Sequence, residues 1–185
     1  MKKLLFYPSL LIIILFCSFA PAEWVKIQSK EGRYSILFPN KPTESEQSVE
    51  TEIGAMQLKV MMYEVGKFKD DNAVYGIIYA DYPDTLIHSD FKDEIIDAFF
   101  ENSINGAAKN MKGTVLSEKK VTYKNYPGRH AVVSFMEGEG IMHLQIFLVK
   151  NRGYILEVGC ETKKDNNPAI DKFFQSFVLE EGLKK

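Results

Sequence analysis

The segment His130–Cys160 reads HAVVSFMEGEGIMHLQIFLVKNRGYILEVGC. Its three apolar runs are parted by Glu137-Gly138-Glu139-Gly140 and Lys150-Asn151-Arg152-Gly153, so the stretch predicts an antiparallel meander. Pairing Met136 with Ile141 places Ala131, Val133 and Phe135 on one face with Met142, Leu144, Ile146 and Leu148. The second turn reads as a three-residue loop, Asn151-Arg152-Gly153, with Gly153 at positive φ beside a small bulge. Pairing Lys150 with Tyr154 then adds Leu156, Val158 and Cys160 to the same face. A register one residue away would turn Glu157 into that apolar surface, so the pattern itself selects the pairing. The expected product is a sheet with one continuous apolar face, and that face needs a cover.

Upstream, the chain opens like a secretory signal. Lys2 and Lys3 form a basic n-region, Leu10–Phe19 an apolar core, and Ala20-Pro21-Ala22 a cleavage site before Glu23. The apolar run is too short for a membrane span, which needs about 20 apolar residues. Lipidation through Cys17 is disfavoured by Phe16, which stands where a small residue is wanted, and an uncleaved anchor is the other alternative. Residues 1–22 are therefore read as a cleaved signal, 23–180 as one domain and 181–185 as a disordered tail, in a protein exported to the periplasm or beyond. Cleavage moves the formal charge from −2 to about −4, and no basic block exceeds a pair of residues. Nucleic acid is excluded as a partner, because neutralising phosphates takes clustered Lys and Arg. Cys160 is the one cysteine of the mature chain, so no intrachain disulfide forms, and its register makes it a buried, inert thiol.

The remaining segments supply strands and helices around the meander. Trp24–Gln28 and Arg33–Phe38 read as strands, Thr43–Ile53 as a charged edge strand, and Ala55–Glu64 as its hairpin partner. Asn72–Tyr82 is apolar on both sets of alternate residues, as expected of a strand covered on both faces. A long helix follows, capped by Ser89 and ended by Gly113. Phe91, Ile95, Ala98, Phe99 and Asn102 lie on one stripe of it, with Ile96, Phe100, Ile104, Ala107, Ala108 and Met111 beside them. This helix is the expected cover of the meander. Thr114–Tyr123 is a polar strand, and Tyr126-Pro127-Gly128 turns it into the meander. A short helix, Pro168–Ser176, starts behind Asn167 as cap.

With these elements in order, a resemblance emerges. Trp24, Gly32-Arg33-Tyr34-Ser35-Ile36-Leu37-Phe38-Pro39 with Lys41-Pro42, Tyr79-Ala80-Asp81-Tyr82-Pro83, Tyr126-Pro127-Gly128-Arg129 and Phe173-Phe174-Gln175-Ser176-Phe177 together resemble exported bacterial PsbP-like domains. The resemblance implies an α+β fold of the PsbP-like α/β/α sandwich type. Its central antiparallel sheet has about seven to nine strands, with one long and one short helix packed on it. It also implies a binding or assembly role, since one member of the fold helps a photosystem hold its ions and a eukaryotic relative binds a small GTPase. The resemblance carries no catalytic residue.

The residues themselves carry no chemistry either. His88, His130 and His143 do not make a metal set, which needs three or four ligands converging on one ion. Asp70-Asp71-Asn72 lacks the glycine and distal Glu of a calcium loop. No nucleophile elbow or phosphate-cradling glycine loop is present. The expectation is a non-enzyme without cofactor, metal or catalytic residues, whose partner is another envelope protein. Its contact surface is expected on the face of Val132, Ser134, Met136, Ile141, His143, Gln145 and Phe147. The alternative is a carrier of a small apolar ligand, held among Met56, Met61, Met62, Tyr63, Tyr75 and Tyr79.

Overall fold

The computed structural model describes residues 24–51, 54–66 and 70–180. The signal and the tail named above lie outside these residues. In chain order the elements are β1 (Val25–Ser29), β2 (Tyr34–Phe38), β3 (Thr43–Thr51), β4 (Gly54–Glu64), β5 (Asn72–Asp81), α1 (Asp93–Asn110), β6 (Thr114–Tyr123), β7 (Tyr126–Phe135), β8 (Gly140–Val149), β9 (Arg152–Glu161), α2 (Pro168–Gln175) and β10 (Val178–Leu179).

Seven strands form an antiparallel sheet in the order β3-β4-β5-β9-β8-β7-β6. The α+β class and the seven-stranded centre match the expectation. The first two strands depart from it, because β1, β2 and β10 make a separate three-stranded sheet. That small sheet and α2 cover one face of the large sheet, with Tyr34, Ile36, Phe38, Tyr75, Leu156 and Phe173 among the buried residues between them. α1 lies on the opposite face, where Ile96, Phe100, Ile104 and Ala108 are buried. The second of the two helix stripes is thus the seam, while Ile95 on the first is exposed.

The meander has the expected strands but not the expected offsets. Phe135 pairs with Gly140, an even slip that keeps every β7 and β8 side chain on its predicted face. At the second turn Val149 pairs with Arg152, an odd slip, so β9 is inverted relative to the prediction. Leu156, Val158 and Cys160 face the small sheet, while Ile155 and Glu157 face the α1 side. Gly153 is not left-handed; Lys150 takes that role at φ 56° in a two-residue turn.

Tertiary partners decide this register. Asp81 pairs with Arg152 across β5 and β9. Asn151 exchanges bonds with Tyr82, its Nδ2 donating to the Tyr82 carbonyl and its own carbonyl accepting the Tyr82 N–H. Ser89 does not cap α1; its hydroxyl accepts the Lys150 N–H and its own N–H donates to the Lys150 carbonyl. α1 therefore starts later, behind Lys92, with Asp93 and Glu94 in its first turn.

Other turns also differ from expectation. The β6–β7 turn is Lys124-Asn125, because Tyr123 pairs with Tyr126 and Pro127-Gly128 belong to β7. At the C-terminal end of α1 the left-handed residue is Lys112, at φ 52°. Gly113 is required instead by close approach, since a Cβ there would stand 2.5 Å from the Ser134 carbonyl oxygen. The cap of α2 is the one expected, with Asn167 accepting the Ala169 N–H at 3.1 Å. Asn167 also exchanges amide bonds with Asn72 at 2.7 and 3.0 Å, which pins α2 to β5.

Candidate functional site

A cleft opens where the β1–β2 turn, the end of β5, the β8–β9 turn and the end of β10 meet. It encloses about 480 Å³ and is lined by Arg33, Asp81, Lys150, Arg152, Tyr154 and Glu180, among others. Arg152 forms the inner wall. Its Nε and Nη2 donate to the two Asp81 carboxylate oxygens at 2.5 Å each, and Nη1 donates to the Glu31 carbonyl at 2.7 Å. The guanidinium also lies 4.9 Å over the Tyr79 ring. Beside it the Tyr154 hydroxyl donates to the Gly32 carbonyl at 2.7 Å, fixing the β1–β2 turn to the main sheet.

The electrostatics follow from these contacts. Hydrogen bonds from Arg152 hold the Asp81 carboxyl below the ordinary carboxylate range, against the opposing effect of burial. Burial weakens the hold of Arg152 on its proton, yet Asp81 and Tyr154 together outweigh it and the guanidinium stays charged at every accessible pH. Burial also raises Tyr154, so its phenol remains a donor. Arg33 and Lys150 are different. Both are exposed, both sit at left-handed turn positions (φ 54° and 56°), and neither side chain makes an ion pair or hydrogen bond among the described residues. Glu180 is the acidic residue left on the rim. The arrangement has no nucleophile facing a base; it offers the cations Arg33 and Lys150, beside the fixed Arg152, to an anionic group.

The residues singled out from sequence do not gather here. Ile141, His143 and Phe147 of the expected contact surface are buried beneath the small sheet and α2, so its centre is core, while Val132, Ser134 and Gln145 are half-buried and Met136 is exposed. The centre of that region is not free to touch a partner because the small sheet and α2 cover that part of the face opposite α1. His143 Nε2 lies 2.6 Å from Asp165 Oδ1, tying the loop before α2 to β8. His130 sits 5.8 Å from His143 and edge-on to Phe174. Burial first, then the charges of Lys119 and His143, lower its pKa to about 4. His88 stands apart, beside Asp90 at 3.4 Å. No group of three or more His, Cys, Asp or Glu able to hold a metal occurs among the described residues.

Cys160 is buried, and burial with the nearby Asp165, Asp71 and Glu161 charges pushes its thiol up to about 11. The methionines and tyrosines of the carrier alternative are divided by the sheet. Met61, Tyr63, Tyr75 and Tyr79 face the small sheet, while Met62 pairs opposite Gly76 on the other side. A cleft of about 210 Å³ does reach Tyr34, Met61 and Tyr79, but Glu31, Glu44, Glu46 and Lys59 surround it.

No protein-family model matches the chain, and no curated protein matches it. Among solved structures, the solution structure of cyanobacterial PsbP (CyanoP) from Synechocystis sp. PCC 6803 superposes with a TM-score of 0.52 at 10% identity, covering 88% of this chain and 95% of that one. The fold is PsbP-like. At that identity the likeness to CyanoP extends to the fold alone, and the cleft residues are argued from this chain's own geometry. No described helix of this PsbP-like fold is long and apolar enough to cross a membrane.

The Arg152–Asp81 constellation escaped the sequence reading because its parts are local commonplaces. Asp81 ends a strand, Arg152 sits beside a turn, and only the β5–β9 register makes them neighbours.

Proposed function

We propose that this protein is a non-catalytic binding or assembly module working outside the cytoplasm, and that its cleft receives an acidic segment of an envelope protein. One observation carries the reading: two cations without ion-pair partners, Arg33 and Lys150, flank a third, Arg152, that Asp81 already holds in place. A hydrated rim charge contributes little within the free protein, yet it steers and orients an oppositely charged partner. The fixed Arg152–Asp81 pair keeps the inner wall rigid, which lowers the ordering cost of association. Export rests on Lys2, Lys3, Leu10–Phe19 and Ala20-Pro21-Ala22 and is part of the proposal.

The test uses residues 23–185 as bait on an envelope extract, beside the same bait carrying R33E and K150E. The expected result is one defined protein retained by the unaltered bait, released by raised salt and lost from the double variant. Equal capture by both baits would remove the cleft from the account. A small molecule retained through native mass spectrometry would favour the carrier alternative instead.

A further inference from the structure

The α1 side of the large sheet carries one residue that the hydrophobic pattern argues against. Glu157 lies between Gly76 of β5 and Leu144 of β8. Its side chain lies over Gly76, where a Cβ would meet its Oε1 at 2.7 Å and its Cγ at 2.8 Å. Any larger residue at Gly76 would have to displace the carboxyl. No described residue donates a hydrogen bond to it or pairs with it, and burial alone raises its pKa. Glu157 is half-buried and its carboxylate oxygens still reach water, so it stands at this surface as a fixed negative charge that no described residue neutralises and that a partner's cation can approach.

The surface around Glu157 is only partly covered. α1 packs against β6 and β7, and its Phe99 reaches as far as Gly153 and Tyr82. Beyond that line Met56, Val60 and Ala80 are buried, while Leu58, Met62, Val74, Ile78 and Ile155 remain partly exposed. Strands lie about 4.8 Å apart, so β9 to β4 spans about 10 Å. A helix with its side chains is about 10 Å across, so the strip is wide enough for one.

We propose that the α1 side of β9, β5 and β4 receives an amphipathic helix of a partner protein, lying beside α1 and setting a lysine or arginine of its apolar stripe against Glu157. The Gly76–Glu157 contact holds the carboxyl at the floor of the strip, and the aliphatic stem of the basic residue packs on Met62 and Ile78. This surface is on the opposite side of the sheet from the cleft and does not depend on the cleft reading.

The test uses two 18-residue helical peptides with the same leucine–alanine stripe, differing only in a central lysine or norleucine. Their binding to residues 23–185 is followed by fluorescence anisotropy. The lysine peptide is expected to bind at least tenfold more tightly than the norleucine peptide. E157Q, which keeps the shape and removes the charge, is expected to cut that preference to within twofold. L58E is expected to abolish binding of both, while R33E/K150E leaves both unchanged. Circular dichroism melts confirm that each variant is folded. Equal binding of the two peptides, no binding of either, or a lysine preference that survives E157Q overturns the proposal. Loss of binding in R33E/K150E alone would place the contact at the cleft and overturn it too.

Discussion

Replacing Asp81 by Ala should destabilise the protein more than replacing Arg152 by Met, although Arg152 makes the greater number of contacts. The asymmetry comes from burial. The Arg152 side chain is 11% exposed and the Asp81 side chain 57%. Asp81→Ala leaves a guanidinium inside the fold with its carboxylate gone, the situation that costs about 3–5 kcal/mol in a fully buried pair. Because water reaches Asp81, screening reduces this to about 2 kcal/mol. Arg152→Met loses the Tyr79 stack and the bond to the Glu31 carbonyl, but it removes the charge that needed desolvating and leaves a carboxylate that water can solvate. Its cost is about 1 kcal/mol.

Urea midpoints of the two single variants and the double variant decide the matter. The double variant should resemble Arg152→Met alone, because Asp81 has no further role once the guanidinium is gone. In thermal melts Asp81→Ala should lower Tm by about 4–8 °C. The pH dependence has a fixed sign. The Asp81 pKa is lowered in the fold, so its contribution is complete above the ordinary carboxylate value of about 4 and disappears as pH falls through the folded value. The gap between the unaltered protein and Asp81→Ala should therefore close in acid. A larger loss for Arg152→Met, or strictly additive losses in the double variant, would refute the reasoning.

Gly76→Ala should cost about 1–3 kcal/mol, because its Cβ meets Glu157, and much less in an E157A background; equal urea-midpoint shifts in both backgrounds would show that the contact is not the cause. His130 should titrate near pH 4 when its ring protons are followed by NMR. The folded state then refuses a proton that the unfolded chain takes, so this residue's contribution to stability falls as pH drops from 6.5 towards 4. Glu157, with its raised pKa, acts in the opposite sense. The His130 effect must therefore be read as the difference between the unaltered protein and His130→Gln, and a flat difference across that window would contradict it.

Strand identity was legible because each run alternates or stays apolar between turn residues, and β7, β8 and β9 lie where the pattern puts them. Inter-strand register was only half legible. A pattern argument assumes one wet face, and here β9 carries apolar residues on both faces. Tyr154, Leu156 and Val158 are buried on one side, while Ile155 joins the α1 cluster on the other. With apolar residues wanted on both faces, alternation no longer distinguishes an odd slip from an even one. The Asp81–Arg152 and Asn151–Tyr82 contacts then set the pairing, and neither is visible until β5 lies beside β9. The cleft was illegible for a related reason. Arg33, Asp81, Lys150 and Glu180 come from four separate parts of the chain, each an ordinary residue near a strand end or turn.

The inversion of β9 ties the two proposed surfaces to one strand. Arg152 lines the cleft and Glu157 lies on the α1 side, about 17 Å along the strand at 3.4 Å per residue. In the pairing read from sequence, Arg152 would sit in a loop without Asp81 opposite it, and Glu157 would lie away from the apolar face. The observed pairing creates a favourable ion pair at one end of β9 and leaves a half-buried carboxylate without an ion-pair partner further along. Slipping β9 by a residue to free Glu157 would sacrifice the Arg152–Asp81 bonds, the Tyr154–Gly32 bond and the Ser89 and Tyr82 contacts of the turn together. The fold therefore retains Glu157 where it is, as a half-buried carboxylate without an ion-pair partner among the described residues.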